Sequence, residues 1–480
     1  MTANKNKLQA TLGATCAALS LLGASFQAQA AATIVINNIN LAGVGFNDAT
    51  PATPVGGNTG TTLGEQRLIA FTHAANIWGA TLTSSQPIVI NAQFSALACT
   101  ATTATLGSAG ATSIFRNFAN APKADTWYSY ALANKLAGSY LGTLNAAQIN
   151  ANFNSNLGQA NCLAGSSFYL GLDGNHGANI DFVATLLHEM GHGVGFQTFT
   201  NGSTGLQNGG YPSVWDHYLM GTVTGKLWKD MTTAERQASA LSVDKLVWTG
   251  PLVTAAIPQV LRMGAPGLTI TGSQAGVTTG LHAVGEASFG APLTSTAVAG
   301  TLMPITTSTG ALDLACNPLT GAQALAAKGN VALVSRGTCG FTIKVKNLQD
   351  AGAKAVLIAD NAAGAPAGMS GTDASITIPS VRISQADGVA LLSALAKRTR
   401  NSSGVFASLG VTGSQYSGAD PLGRMMMFAP NPYQSGSSVS HFDVTAFRNQ
   451  LMEPSINGDL THSVLVPLDL TFKLLQDIGW

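Results

Sequence analysis

Asn179-Ile180-Asp181-Phe182-Val183-Ala184-Thr185-Leu186-Leu187-His188-Glu189-Met190-Gly191-His192 is the stretch from which the rest of the chain can be read. Its apolar residues recur at helical spacing; Asn179 or Asp181 suits the N-cap, and Gly195 suits the end. His188 and His192 are four residues apart, so a helix sets both imidazoles on one face, within reach of one metal ion. Glu189 stands beside the first of them, where a carboxylate can take a proton from a metal-activated water. The apolar flanks Phe182, Val183, Leu186, Leu187 and Val194 predict a buried helix. Two imidazoles and a carboxylate buried without partners are costly, so this stretch predicts one Zn2+ ion with Glu189 as general base.

A catalytic zinc takes three protein ligands and leaves a position for water. The third ligand comes from far away in the chain, with His73, His176, His217, His282, His441 and His462 as candidates, or from a residue of another type such as Asp216, or it does not exist. His441 is the strongest candidate because of its surroundings: Ser440-His441-Phe442-Asp443 precedes Leu451-Met452-Glu453-Pro454. Together with His-Glu-Met-Gly-His-Gly-Val-Gly-Phe at 188–196, these motifs resemble the leishmanolysin-like, metzincin-type zinc metallopeptidases. The usual metzincin spacing puts a third histidine where this chain has Thr198. In leishmanolysin-like members an insertion after the glycine displaces that histidine. The resemblance implies His188, His192 and His441 as ligands, Glu189 as base, and Met452 as the methionine of a turn beneath the metal. It also implies an α+β fold, a two-lobed zincin-like catalytic domain. Asp443 is a candidate to support a ligand from behind, with plain surface solvation as the alternative.

The long segment between His192 and His441 carries its own pattern. A strand is predicted at 331–334, a helix at 341–350, strands at 355–358 and 376–378, and a helix at 386–396, an α/β module. Arg336-Gly337-Thr338-Cys339-Gly340-Phe341, Lys344, Ala351-Gly352-Ala353, Val356-Leu357-Ile358 and Ile378-Pro379-Ser380-Val381-Arg382-Ile383-Ser384 with Asp387-Gly388 resemble the protease-associated (PA) domain. The expected division is a catalytic part at 31–255, a PA insertion at 256–415 with its core at 285–398, and a returning catalytic part at 416–480. PA domains are non-catalytic, and the resemblance implies contact with substrate or with another protein. Elsewhere the spacing predicts helices at 63–82, 127–137 and 232–246 and strands at 87–97 and 167–172. Residues 251–310 read as strand or loop.

The N-terminus predicts a compartment. Lys5 and Lys7 precede an apolar run from Leu8 to Leu22, and Ala28-Gln29-Ala30 offers a cleavage site, the order of a secretory signal peptide over residues 1–30. The chain has five cysteines, and Cys16 lies inside that run. An exported chain would pair the other four, and sequence proximity favours Cys99 with Cys162 and Cys316 with Cys339. Charged residues make up 9% of the chain and the formal net charge is +1, which leaves no basic surface for nucleic acid. Beyond the N-terminus no apolar run is long enough to span a membrane. Asp173, Asn175, Asn179 and Asp181 offer weak support for Ca2+, since the pattern lacks the EF-hand glutamate; a turn and helix cap explain them more simply. The expectation is a secreted zinc endopeptidase acting on proteins or peptides. The alternatives are a zinc exopeptidase, or a binding or adhesion protein whose zinc is structural or vestigial.

Overall fold

A computed structural model of the chain describes residues 31–101, 103–177, 179–369, 371, 373–399 and 402–480. The expected signal segment at 1–30 lies outside these residues. Near the N-terminus, three parallel strands, Ile34–Asn38, Ile88–Ser95 and Ile149–Asn154, are joined by an antiparallel edge strand, Gly107–Ala111. Helix Leu63–Thr81 packs against helix Phe182–Val194, which also lies against the edge strand. The first helix begins with a capping box, Thr62 and Glu65 each accepting from the other's backbone N–H. These elements bury an aromatic cluster of Phe71, Phe94, Phe153 and Phe182, whose rings meet mostly tilted or edge to face.

One hydrophobic core is shared by two distant parts of the chain. It runs from Ala32 to Leu261 and resumes from Ala419 to Ile478. The intervening segment has cores of its own on the two faces of an eight-stranded sheet, drawn from residues between Leu268 and Leu409. The centre of that sheet is parallel, in the order Val298–Pro304, Val331–Ser335, Ala355–Ala359, Ser380–Ile383. Two disulfides are present, Cys99–Cys162 and Cys316–Cys339. No helix among the described residues is long and apolar enough to cross a membrane.

Several elements differ from the sequence expectation. Pro251–Val260, read as strand or loop, is a helix with Pro251 in its first turn, where the fixed φ favours a helix and the missing N–H costs nothing. It extends past residue 255 and places Val253, Ala256 and Ile257 in the main core, against the C-terminal helix Thr471–Ile478. The helix expected over 232–246 stops at Ser239, and Leu246–Trp248 forms a strand. The helix expected from residue 127 starts at Tyr130. The strand expected at 376–378 forms instead at Ser380–Ile383, because the backbone N–H groups of Thr377 and Ile378 are taken by the Gln349 side chain.

Candidate active site

Helix Phe182–Val194 is buried along its whole length. The Asp181 carboxylate caps it by accepting from Ala184 N at 3.1 Å and is held in turn by His462 Nε2 at 2.8 Å. Gly195 ends it with φ +128°, a conformation that L side chains rarely adopt. At that same end Trp480 Nε1 donates to Val194 O at 2.8 Å, which satisfies a carbonyl of the helix's last turn. The turn at 451–453 presses on its middle: a Cβ on Gly191 would lie 2.8 Å from Met452 Sδ. Met452 is wholly buried between the helix and the segment that carries His441. Its carbonyl accepts from Phe442 N at 2.8 Å.

This packing brings three imidazoles together. Nε2 of His192 lies 3.2 Å from that of His188 and 3.1 Å from that of His441, and the third separation is 3.3 Å. Each Nδ1 faces a backbone carbonyl: Leu451 O at 2.7 Å for His188, Phe196 O at 2.8 Å for His192, and Ser437 O at 2.8 Å for His441. A carbonyl can only accept, so each Nδ1 carries the hydrogen and each Nε2 presents a bare lone pair. Burial holds the rings neutral. It lowers His188 to about 4; burial and then His188 lower His192 to about 3; burial, His192 and His188 push His441 well below the usual histidine range.

Three bare lone pairs converging at this range repel one another, a repulsion that a cation between them relieves. The donor set fits zinc: nitrogens about 2.05 Å from a tetrahedral Zn2+ stand about 3.3 Å apart, and carbonyl-oriented Nδ1–H groups are its usual support. Among the described residues this is the one group whose metal-binding atoms converge. The Asp173 and Asp181 oxygens that were candidates for Ca2+ serve Tyr169, Asn175, Ala184 and His462 instead.

Glu189 lies next to this group, at the floor of a cleft of about 910 Å³. Burial pushes its carboxyl up to about 8, while a hydrogen bond donated by the backbone N–H of Ala109 acts in the opposite direction. Ala109 belongs to the edge strand Gly107–Ala111, whose Gly-Ser-Ala-Gly-Ala sequence lacks the β-branched residues that signal strands. Sequence reading missed it, and it forms a wall of the cleft. Gly107 has a specific purpose there, since a Cβ would lie 3.1 Å from Glu189 Cγ and Oε1.

The other candidates have separate employment. Asp443 accepts from Thr445 N at 3.0 Å and from its hydroxyl at 2.6 Å, with no imidazole partner; backbone carbonyls orient the three rings in its place. His217 bonds Thr126, His176 bonds Asn179 O and Gly458 O, and His282 bonds Asp387. Asp216 accepts from Ser213 N, Thr198 and Thr200 and so anchors the loop after the helix. One contributor was not anticipated at all. Asp469, buried, accepts from Leu451 N at 2.6 Å and Thr471 N at 2.7 Å, fixing the peptide whose carbonyl holds His188.

Comparison with known proteins identifies the inserted segment. Residues 298–391 match the PA domain family. This stretch is a PA domain. A rice (Oryza sativa subsp. japonica) protein, "Receptor homology region, transmembrane domain- and RING domain-containing protein 1", is 44% identical over 78 residues, 16% of this chain and 15% of that protein. Among solved structures, a zinc aminopeptidase from Bacillus subtilis is 23% identical with a TM-score of 0.23, covering 34% of this chain and 36% of its own. An aminopeptidase from Aneurinibacillus sp. strain AM-1 is 24% identical with a TM-score of 0.24, covering 33% and 32%. The chain thus spans about a third of these solved structures and a far smaller part of the rice protein.

Proposed function

We propose that the protein is a secreted, zinc-dependent endopeptidase of the leishmanolysin-like, metzincin type. Its catalytic unit would comprise residues 31–255 and 416–480, with the PA domain inserted between them. The observation that carries this reading is the convergence of three neutral, buried imidazoles, each Nε2 bare and within 3.1–3.3 Å of the others, beside a carboxyl at the floor of an open cleft. His188, His192 and His441 would hold the zinc, with Met452 packed beneath. Zinc bound there supplies a Lewis acid that acidifies water and polarises a carbonyl.

The chain's own residues do the rest. Glu189 takes a proton from the attacking water on its carboxylate and returns it to the departing amine nitrogen. The Ala109 N–H fixes the orientation of that carboxylate during both transfers. Cleavage within chains, rather than at their ends, is supported by the cleft lining. Glu189 is the one Asp, Glu, Lys or Arg among the described lining residues, so a free α-amino or α-carboxyl terminus finds no fixed counter-charge. Export is supported by the N-terminal sequence and by two disulfides, which persist in oxidising compartments.

The test is made on purified protein by metal analysis and digestion of an unfolded protein substrate. One zinc per chain and chelator-sensitive cleavage are expected, with Glu189→Gln keeping the zinc and losing the cleavage. Zinc binding without any hydrolysis would favour the binding-protein alternative, and trimming from chain ends alone would favour an exopeptidase.

A further inference from the structure

The cleft carries information about which peptides it accepts, and this inference rests on the peptidase reading above. Its walls combine hydroxyl-bearing residues, among them Thr105, Thr198, Ser203, Ser435, Ser440 and Ser455, with apolar and aromatic side chains such as Leu163 and Tyr433. Among the described lining residues Glu189 is the one acidic side chain, and there is no Lys or Arg. Glu189 itself is unavailable as a counter-ion for a substrate side chain. It is 7% exposed, sits against Gly107 and is engaged by Ala109 N–H. A peptide threading the cleft gives up water around the side chains flanking the scissile bond. Hydroxyl and apolar walls replace that water adequately for neutral side chains. A charged side chain gives up part of its water there and meets no counter-charge, which costs more.

We propose that the cleft selects peptide segments whose side chains next to the scissile bond are uncharged, and rejects Lys, Arg, Asp and Glu there. The wall residue Thr105 is a specificity determinant by virtue of lacking charge. It is exposed on the loop leading into the edge strand, so a long cationic side chain there can reach a bound acidic one without burying itself.

The experiment uses a fluorophore-labelled ten-residue peptide of neutral composition and derivatives with a single Lys or Asp at successive positions. Cleavage by the zinc-loaded protein is read by mass spectrometry. Binding to zinc-loaded Glu189→Gln protein is read by fluorescence anisotropy. A charge beside the scissile bond should lower kcat/KM and weaken binding by on the order of tenfold or more. Thr105→Arg should recover the Asp peptides, and not the Lys peptides, by several-fold. Equal handling of charged and neutral peptides, or a Thr105→Arg protein with unchanged preference, overturns the proposal. If nothing is cut, the peptidase reading fails, while the binding ratios still decide the selectivity.

Discussion

Gly191→Ala adds one methyl group at the point where the turn beneath the three histidines touches their helix. The new Cβ would lie 2.8 Å from Met452 Sδ and 3.3 Å from Met452 Cε, with Trp78 Cζ2 at 3.7 Å. Met452 must move, and overpacking of this kind costs about 1–3 kcal/mol. Alanine returns about 1 kcal/mol of helix propensity, so the net loss of stability should be no more than about 2 kcal/mol. The effect on the metal should exceed the effect on the fold. Leu451 O, one residue away, orients His188, and Met452 O is bonded to Phe442 N beside His441. Displacing the turn disturbs two of the three proposed ligands, and loss of such supporting contacts weakens zinc by on the order of tenfold or more. Gly193→Ala is the control, because the atoms nearest its Cβ all belong to Ile149, with Cγ2 at 2.5 Å. The assay pairs urea unfolding of the metal-free proteins with competitive zinc titration against a chelating dye. Gly191→Ala should lose zinc affinity out of proportion to stability, and Gly193→Ala the reverse. Wild-type zinc affinity in a folded Gly191→Ala protein would refute the idea that the turn holds the ligands in place.

Two further outcomes follow from the buried carboxylates. Asp469→Ala strands the N–H groups of Leu451 and Thr471, each worth about 1–3 kcal/mol when left unsatisfied, and frees the carbonyl behind His188. Denaturation should show that loss, and zinc titration a weaker site. Burial raises Asp443 from 3.8 to about 6, so the folded state binds more protons than the unfolded state across that window. Its contribution therefore becomes less favourable by about 3 kcal/mol as pH rises from 4 to 6. The lowered His188 works in the opposite sense, favouring the metal-free fold as pH rises from about 4 towards 6.5. In metal-free Asp443→Asn, whose amide oxygen can still accept from Thr445, the first term disappears. The slope of stability against pH between 4 and 6, measured by urea titration, should then be more positive than in the wild type, and an unchanged slope would contradict the burial argument.

The helix carrying His188 and His192 was legible because every local signal agreed: the Asp181 cap, the apolar periodicity, the histidines four apart and Gly195 at the end. The placing of His441 beside His188 and His192 was legible only through a resemblance to a family arrangement. No local rule connects it to His192 across so long an insertion; the shared hydrophobic core does, and that is a tertiary fact. The edge strand Gly107–Ala111 escaped notice because its small residues carry no period, although smallness is what lets Gly107 lie against Glu189. The supports of the histidines escaped for another reason: they are backbone carbonyls, which sequence does not distinguish. Asp469 in Leu468-Asp469-Leu470 reads as a helix-start residue, and nothing local shows that its second oxygen reaches Leu451. Pro251–Val260 was misread because it begins a stretch rich in Gly, Thr and Val, which suggested strand or loop, when Pro251 marked the first turn of a helix.

The central claim is that His188, His192 and His441 together hold one zinc ion. X-ray absorption spectroscopy of the zinc-loaded protein tests it most directly, compared with His441→Ala. The account predicts three imidazole nitrogens at about 2.0–2.1 Å in the wild type and the loss of one, with weakened binding, in the variant. An identical imidazole count and affinity in the two proteins would contradict it.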